Sequence, residues 1–266
     1  NSAGVAMPGP LTGLTSINSG QIGGRRNIVI NGAMKVAQRA TSATGKTGGT
    51  SGYFALDRWK LQDGTIGTAG RCTIAQIADG PAGFANCLKI SATTADTSID
   101  AREALILQTR FEGQDLQQLK KGTSSAEQVT VSFYVKGNAA ALYVCELHDV
   151  DNGRNNTQSF AVTTDWNRIE LTFAADTSDP LDDDTAVSLS LNFWLHSGAN
   201  YSGGTFASNT WADITLANTT AVANRTSIYD STNRTFFLTG VQMEIGSTAT
   251  EFEHRSFGEE YDLCKR

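Results

Sequence analysis

Residues Val187-Ser-Leu-Ser-Leu-Asn-Phe-Trp-Leu-His196 alternate apolar and polar side chains over ten positions. Val187, Leu189, Leu191, Phe193 and Leu195 fall on one side, and Ser188, Ser190, Asn192, Trp194 and His196 on the other. That is the period of a strand with one buried face, not of a helix. The same period runs through Val129, Val131, Phe133 and Val135 against Thr130, Ser132, Tyr134 and Lys136, and returns in Ile169, Leu171 and Phe173 after Trp166. Further strands are predicted near 71–78, 86–91, 102–109, 139–148, 156–163 and 234–245. Turn signals separate them: Asp149-Val-Asp-Asn-Gly153, the pair Ser197 and Gly198, and Tyr201-Ser-Gly-Gly204. One short helix is predicted over 114–121, where Leu116 and Leu119 share a face. So many strands without an internal repeat predict an all-β fold, a jelly roll or double-sheet β-sandwich.

The composition agrees. Charged residues make up 18% of the 266, and their place is taken by 32 Thr, 21 Ser, 16 Asn and 26 Gly, residues of strands and turns. The longest apolar run, Ala139 to Cys145, is far short of the roughly 20 residues of a membrane helix, so no membrane insertion is expected. No charged-then-apolar leader opens the chain, so no signal peptide is expected, and the missing initiator Met is read as processing or a fragment. A pI near 5.1 with no basic stripe beyond the first fifth speaks against nucleic acid. Cys72, Cys87, Cys145 and Cys264 include no CxxC pair, and the three His are scattered, so neither zinc nor any other cofactor is expected. Cys72 and Cys87 belong to successive predicted strands; buried free thiols are the default and a disulfide the alternative.

Charge is uneven along the chain. Residues 1–52 hold Arg25, Arg26, Lys35, Arg39 and Lys46 and no acid, so the net −6 leaves −11 on the rest. Residues 1–24 carry no charged side chain, and Leu11, Leu14, Ile17 and Ile22 are spread among Gly, Ser and Thr. Such a segment buries too little apolar surface to fold alone, and 1–26 is expected to be an extended attachment arm, with a floppy terminus as the alternative. The sandwich is then expected over 27–258, with a C-terminal tail at 259–266.

The run Gly23-Gly-Arg-Arg-Asn-Ile-Val-Ile-Asn-Gly-Ala-Met-Lys-Val-Ala-Gln-Arg39, followed by Tyr53-Phe-Ala-Leu-Asp-Arg-Trp59, resembles the opening of virion structural and tail-fibre-type proteins of bacteriophages. Leu238-Thr-Gly-Val-Gln-Met-Glu-Ile-Gly-Ser247, Thr250-Glu-Phe-Glu-His-Arg-Ser-Phe257 and Glu259 to Cys264 are similar to the ending of the same family. Between them, 128–137 and 163–173 resemble strands of carbohydrate-binding jelly rolls. The resemblance implies a non-enzymatic tail-fibre-like appendage, assembled in the host bacterial cytoplasm into the virion and binding host surface polysaccharide. It implies other phage virion proteins as partners and a homo-oligomer, a trimer favoured. A capsid decoration or head-fibre protein and a free carbohydrate-binding module are the alternatives.

Candidate site residues follow from side-chain chemistry. Sugars stack on aromatic faces flanked by amides, acids and hydroxyls, so aromatic residues on the polar side of strands are glycan-binding candidates. Trp194 stands between Asn192 and His196, and Tyr134 between Ser132 and Lys136; cover for a sheet or a subunit interface is the alternative role. Asp57, Arg58 and Trp59 suit a structural clamp, in which Arg pairs with a carboxylate while lying on an aromatic face, and Glu253, His254 and Arg255 serve likewise at the other end. Asp176, Asp179, Asp182, Asp183 and Asp184 form the densest acidic run. It is expected to be a solvated loop, with Asp182, Asp183 and Asp184 as cation ligands the alternative. Catalysis is not expected: the acidic run has no aromatic platform close by, and no Gly-x-Ser-x-Gly occurs.

Overall fold

Strand alternation buries one row of apolar side chains per strand, and two such sheets must close on each other. The computed structural model, which describes residues 16–17, 20–21, 25–64 and 67–265, has this architecture. Its strands are β1 (Ser16–Ile17), β2 (Gly20–Gln21), β3 (Ser42–Lys46), β4 (Lys60–Asp63), β5 (Arg71–Ile77), β6 (Cys87–Thr94), β7 (Ala104–Glu112), β8 (Val129–Gly137), β9 (Ala141–Asp149), β10 (Arg154–Val162), β11 (Asn167–Phe173), β12 (Val187–Ser197), β13 (Ala212–Asp213) and β14 (Thr235–Ile245). Two helices are added, α1 (Ala199–Ser202) and α2 (Phe257–Cys264). One six-stranded sheet runs β13-β10-β9-β12-β7-β4 and the other β11-β8-β14-β6-β5-β3, with antiparallel neighbours throughout. The fold is an all-β jelly-roll sandwich.

The alternation read from sequence sets which side chains meet in the core. Leu191, Phe193 and Leu195 of β12 face Val131, Phe133 and Val135 of β8 in one apolar cluster. Phe133 packs edge-on against Phe193 and Phe160 at centroid distances of 5.0 and 5.1 Å, and each such pair adds about 0.5–1.5 kcal/mol beyond the area it buries. Trp59, fully buried, reaches Phe193 from the start of β4 at 6.2 Å.

Residues 114–121 do not form the predicted α-helix. They make two tight 3-10 turns, Gly113–Asp115 and Gln117–Leu119, that bury Leu116 and Leu119. A spacing of three fits a 3-10 turn as well as an α-helix, and the two turns break at Leu116. Helix α2 lies where a tail was expected, and the boundary drawn after 258 falls inside it. Ser256 caps it reciprocally with Glu259, and its Glu260 is buried.

The segments that carry the phage resemblance interlock. Glu253 accepts the backbone N–H groups of Arg26 and Asn27, and Glu260 that of Asn31. Arg255 donates to the carbonyls of Asn27 and Val29. Asn31 also donates to the carbonyls of Val36 and Asp57, and its own carbonyl accepts the Trp59 indole N–H. Within the Asp57-Arg58-Trp59 clamp, the Asp57 carboxylate pairs with Arg39 at 2.7 Å. The three residues lie in a turn before β4, not on a strand, and Arg58 takes a left-handed φ of 70°.

Candidate functional site

With Leu191, Phe193, Cys145, Leu147 and Leu107 facing inward, the intervening residues of β9, β12 and β7 face out of the sandwich. Register places Thr157, Glu146, Asn192, Gln108 and Lys60 directly opposite one another across five strands, β10, β9, β12, β7 and β4. A second row, two residues along, is Asn155, His148, Ser190 and Arg110; a third is Val144, Trp194, Ile106 and Gln62. A polar strip thus crosses the strands with an apolar strip beside it.

Hydrogen bonds tie the polar strip together. Glu146, 3% exposed, accepts from Asn155 Nδ2 at 2.7 Å, Asn192 Nδ2 at 2.9 Å and the Trp194 indole N–H at 2.7 Å. Asn192 Oδ1 accepts from Gln108 Nε2 at 3.2 Å, and Gln108 Oε1 from Arg110 Nε at 2.7 Å. A buried carboxylate held by three N–H donors keeps its orientation without a cation, because charge-assisted bonds offset desolvation.

Above the strip lies a groove of about 330 Å³, lined by the polar residues Gln62, Gln108, Arg110, Glu146, His148 and Asn192, among others. Its rim is apolar: Val150, 45% exposed, from the β9–β10 turn, and Leu216, 55% exposed, from the long connection between β12 and β14. Ile214 and Thr219 of that connection complete the wall. Among the residues lining the groove, Glu146 is the one carboxylate. A second hollow, lined by Arg39, Tyr53, Arg58 and Glu112, shares Arg110 and Val187 with the first.

The structure separates the residues predicted for sugar contact. Asn192 lies in the groove floor. Trp194 borders the groove but is 7% exposed, its ring packed by Tyr201, Phe206 and Val222 of the β12–β14 connection. His196 leaves the row because a β-bulge falls between Trp194 and His196. It is 2% exposed, hydrogen-bonds Ser227 Oγ at 2.7 Å through Nδ1, and burial pushes its pKa down to about 4. Tyr134 stands on the outer face of the other sheet, its ring tilted against Phe84 with centroids 5.3 Å apart, beside Gly240. There it borders a second aromatic patch, in which Lys136 lies over Trp166 and Phe237 and pairs with Asp79.

Of the acidic run, Asp182, Asp183 and Asp184 are exposed in a loop, and Asp184 accepts the Ala186 N–H. Asp176 is buried and ion-paired with Lys121 and Arg154, each at 3.1 Å. All four cysteines are buried free thiols. Leu11, Leu14 and Ile22 of the arm lie outside the described residues; Ile17 belongs to β1, which pairs with β2. Arg25 is exposed and Arg26 half-buried where the described chain resumes.

Glu146 and Gln108, central to the groove, were not singled out from sequence. A lone acid between Cys145 and Leu147 in a predicted strand was the available signal, since an acid on a mostly apolar strand needs a polar outer face to hold it.

No protein-family model matches the sequence, and no curated protein matches it. Solved structures with some likeness include a family 11 carbohydrate-binding module of the cellulosomal cellulase Lic26A-Cel5E of Clostridium thermocellum, at 14% identity over 80% of this chain and 100% of that one, with a TM-score of 0.37. A CBM4 structure matches at 14% identity over 81% and 97% of the two chains, with a TM-score of 0.41. The enzymatically active domain of tailspike protein 4 of bacteriophage CBA120 matches at 12% identity over 71% of this chain and 19% of that one, with a TM-score of 0.35. These are distant likenesses; the sandwich and its groove stand on their own strand order and register.

Proposed function

We propose that this chain is a non-catalytic glycan-binding sandwich, carried on a bacteriophage particle as a tail-fibre-like appendage. The observation that supports glycan binding is the groove across β9, β12 and β7: a fixed polar floor of Glu146, Asn192 and Gln108 under an exposed apolar rim. A saccharide presents hydroxyls to such a floor and C–H faces to such a rim. Glu146 is the one carboxylate lining the groove and is held by three hydrogen bonds, so the groove does not offer the carboxylate pair that glycoside cleavage uses. The place on a virion is supported by the resemblance of residues 23–59 and 238–264 to phage structural proteins, with capsid decoration as the alternative.

Affinity electrophoresis through gels containing mixed-linked β-glucan, xylan, galactan or host capsular polysaccharide tests the binding. Retardation is expected in at least one gel, with no release of reducing sugar. Arg110→Ala and His148→Ala, both half-buried groove residues, are each expected to weaken binding about tenfold, the loss of roughly one charged or polar hydrogen bond. Equal mobility in every gel overturns the glycan reading. Gold-labelled antibody on intact particles tests the location: label at the tail supports the appendage, and label over the head supports the decoration.

A further inference from the structure

At one end of the sandwich, three buried side chains from separate segments converge. Asp96 lies in the β6–β7 connection, Glu103 just before β7, and His196 near the end of β12. They are 5%, 5% and 2% exposed, and one ligand atom from each lies within 4.8 Å of the others. His196 Nε2 stands 3.4 Å from Glu103 Oε2. That is about the edge of a tetrahedron of ligands roughly 2.1 Å from a central ion.

Two features point to a ligand there. Among the described residues no Lys or Arg forms an ion pair with either carboxylate, although Asp149 and Asp176, buried elsewhere, have Lys121 and Arg154. Arg225, whose charge is felt at His196, donates instead to Ser197. Asp96 is held by the backbone N–H groups of Ala69, Gly70 and Ser98, and Glu103 by that of Asp100, which orients both carboxylates but adds no full positive charge. Second, Ser227 Oγ holds His196 Nδ1 at 2.7 Å. With Nδ1 carrying the proton, the Nε2 lone pair is directed at the carboxylates, the outer-shell arrangement common for a metal-bound imidazole.

We propose that Asp96, Glu103 and His196 form a structural binding site for one divalent transition-metal ion, with Zn²⁺ the best match. One imidazole and two carboxylates suit Zn²⁺, with a fourth position for water. Ca²⁺ favours six to eight oxygens and Mg²⁺ an octahedron of oxygens. The exposed Asp182, Asp183 and Asp184 have no part in it. The ion would join the β6–β7 connection to β12 and, through Ser227, to the connection that walls the groove.

The test uses the whole chain, stripped with a chelator and then titrated with Zn²⁺. One equivalent is expected to bind, raising Tm by about 5–10 °C at a hundredfold excess over Kd. Co²⁺ is expected to give the visible absorption bands of a tetrahedral site. His196→Gln and Glu103→Gln should each abolish the Tm rise and the bands. Because His196→Gln also removes the Ser227 contact, Glu103→Gln serves as the folded control, identified by its unchanged circular dichroism. A stripped protein that gains nothing from Zn²⁺, that gains from Ca²⁺ but not Zn²⁺, or that keeps its zinc response in Glu103→Gln overturns the site. In the first case the two carboxyls share a proton instead.

Discussion

Lys121 shows what a single buried charge does in this sandwich. Its side chain is 6% exposed, its ammonium sits 2.6 Å from Asp149 and 3.1 Å from Asp176, and Arg154 meets the same Asp176 oxygen at 3.1 Å. Removing the cation leaves two carboxylates in a poorly solvated place, so Lys121→Met is expected to cost about 3–5 kcal/mol in urea unfolding. The same cluster sets a pH dependence. Burial works against the Asp176 charge, but hydrogen bonds from Arg154, the Ser178 N–H and Lys121 prevail and hold its pKa below the ordinary carboxylate value. The folded value is therefore lower than the unfolded one. The stabilisation is present above the unfolded pKa of about 3.9 and is lost as pH falls through the folded value. Unfolding midpoints measured from pH 6 to pH 2.5 should drop at the acid end, and Asp176→Asn should flatten that drop.

Among the elements, the turn at 30–33 is the most constrained. A Cβ added to Gly32 would lie 2.0 Å from the Val241 carbonyl oxygen, a backbone atom of β14 that cannot swing away. Gly32→Ala is expected to destabilise by about 1–3 kcal/mol or more, read as a lower Tm. Nine long strands were legible in the sequence, because alternation such as that of Val187 to His196 has one structural solution. Four kinds of feature escaped that reading. The bulge between Trp194 and His196 adds no change of residue type, so alternation ran straight through it and placed His196 in the wrong row. Strand β3 and the short β13 have exposed faces and hence no apolar period. Helix α2 did carry a signal, the Ser256-Phe-Gly-Glu259 capping pattern, but its eight residues bury only Glu260 and Cys264 and show no apolar stripe. Contacts such as Asp96 with His196 depend on strand order, which local periodicity does not encode.

At the scale of the whole molecule, residues 26–31 and the C-terminal segment 253–260 meet on one flank. Arg26 and Asn27 are fixed by Glu253, and Asn31 by Glu260 of α2. The groove floor lies on the outer face of the β9–β12–β7 sheet and is built from none of these residues, so attachment through that flank, as proposed, would leave it open. Saccharide contacts are weak singly, and several grooves on one symmetric particle would bind far more tightly than one. The chain is accordingly expected to sediment as a trimer at micromolar concentration. The uncharged residues 1–24 cannot offset an ordering cost of roughly 1–2 kcal/mol per residue by themselves, so their Leu and Ile side chains should need a neighbouring subunit. Their removal spares every contact of Glu253, Arg255 and Glu260 with residues 26–31. A chain beginning at Arg25 is therefore expected to keep the Tm and the glycan binding of the full chain while losing incorporation into particles. Reversing Arg25 and Arg26 to Glu should weaken incorporation most at low salt, since exposed charges are screened beyond about 10 Å at 0.1 M. Normal incorporation of the shortened chain, measured by immunoblot of purified particles, would move the attachment surface onto the sandwich itself, with the aromatic face around Tyr134 and Trp166 the next place to mutate.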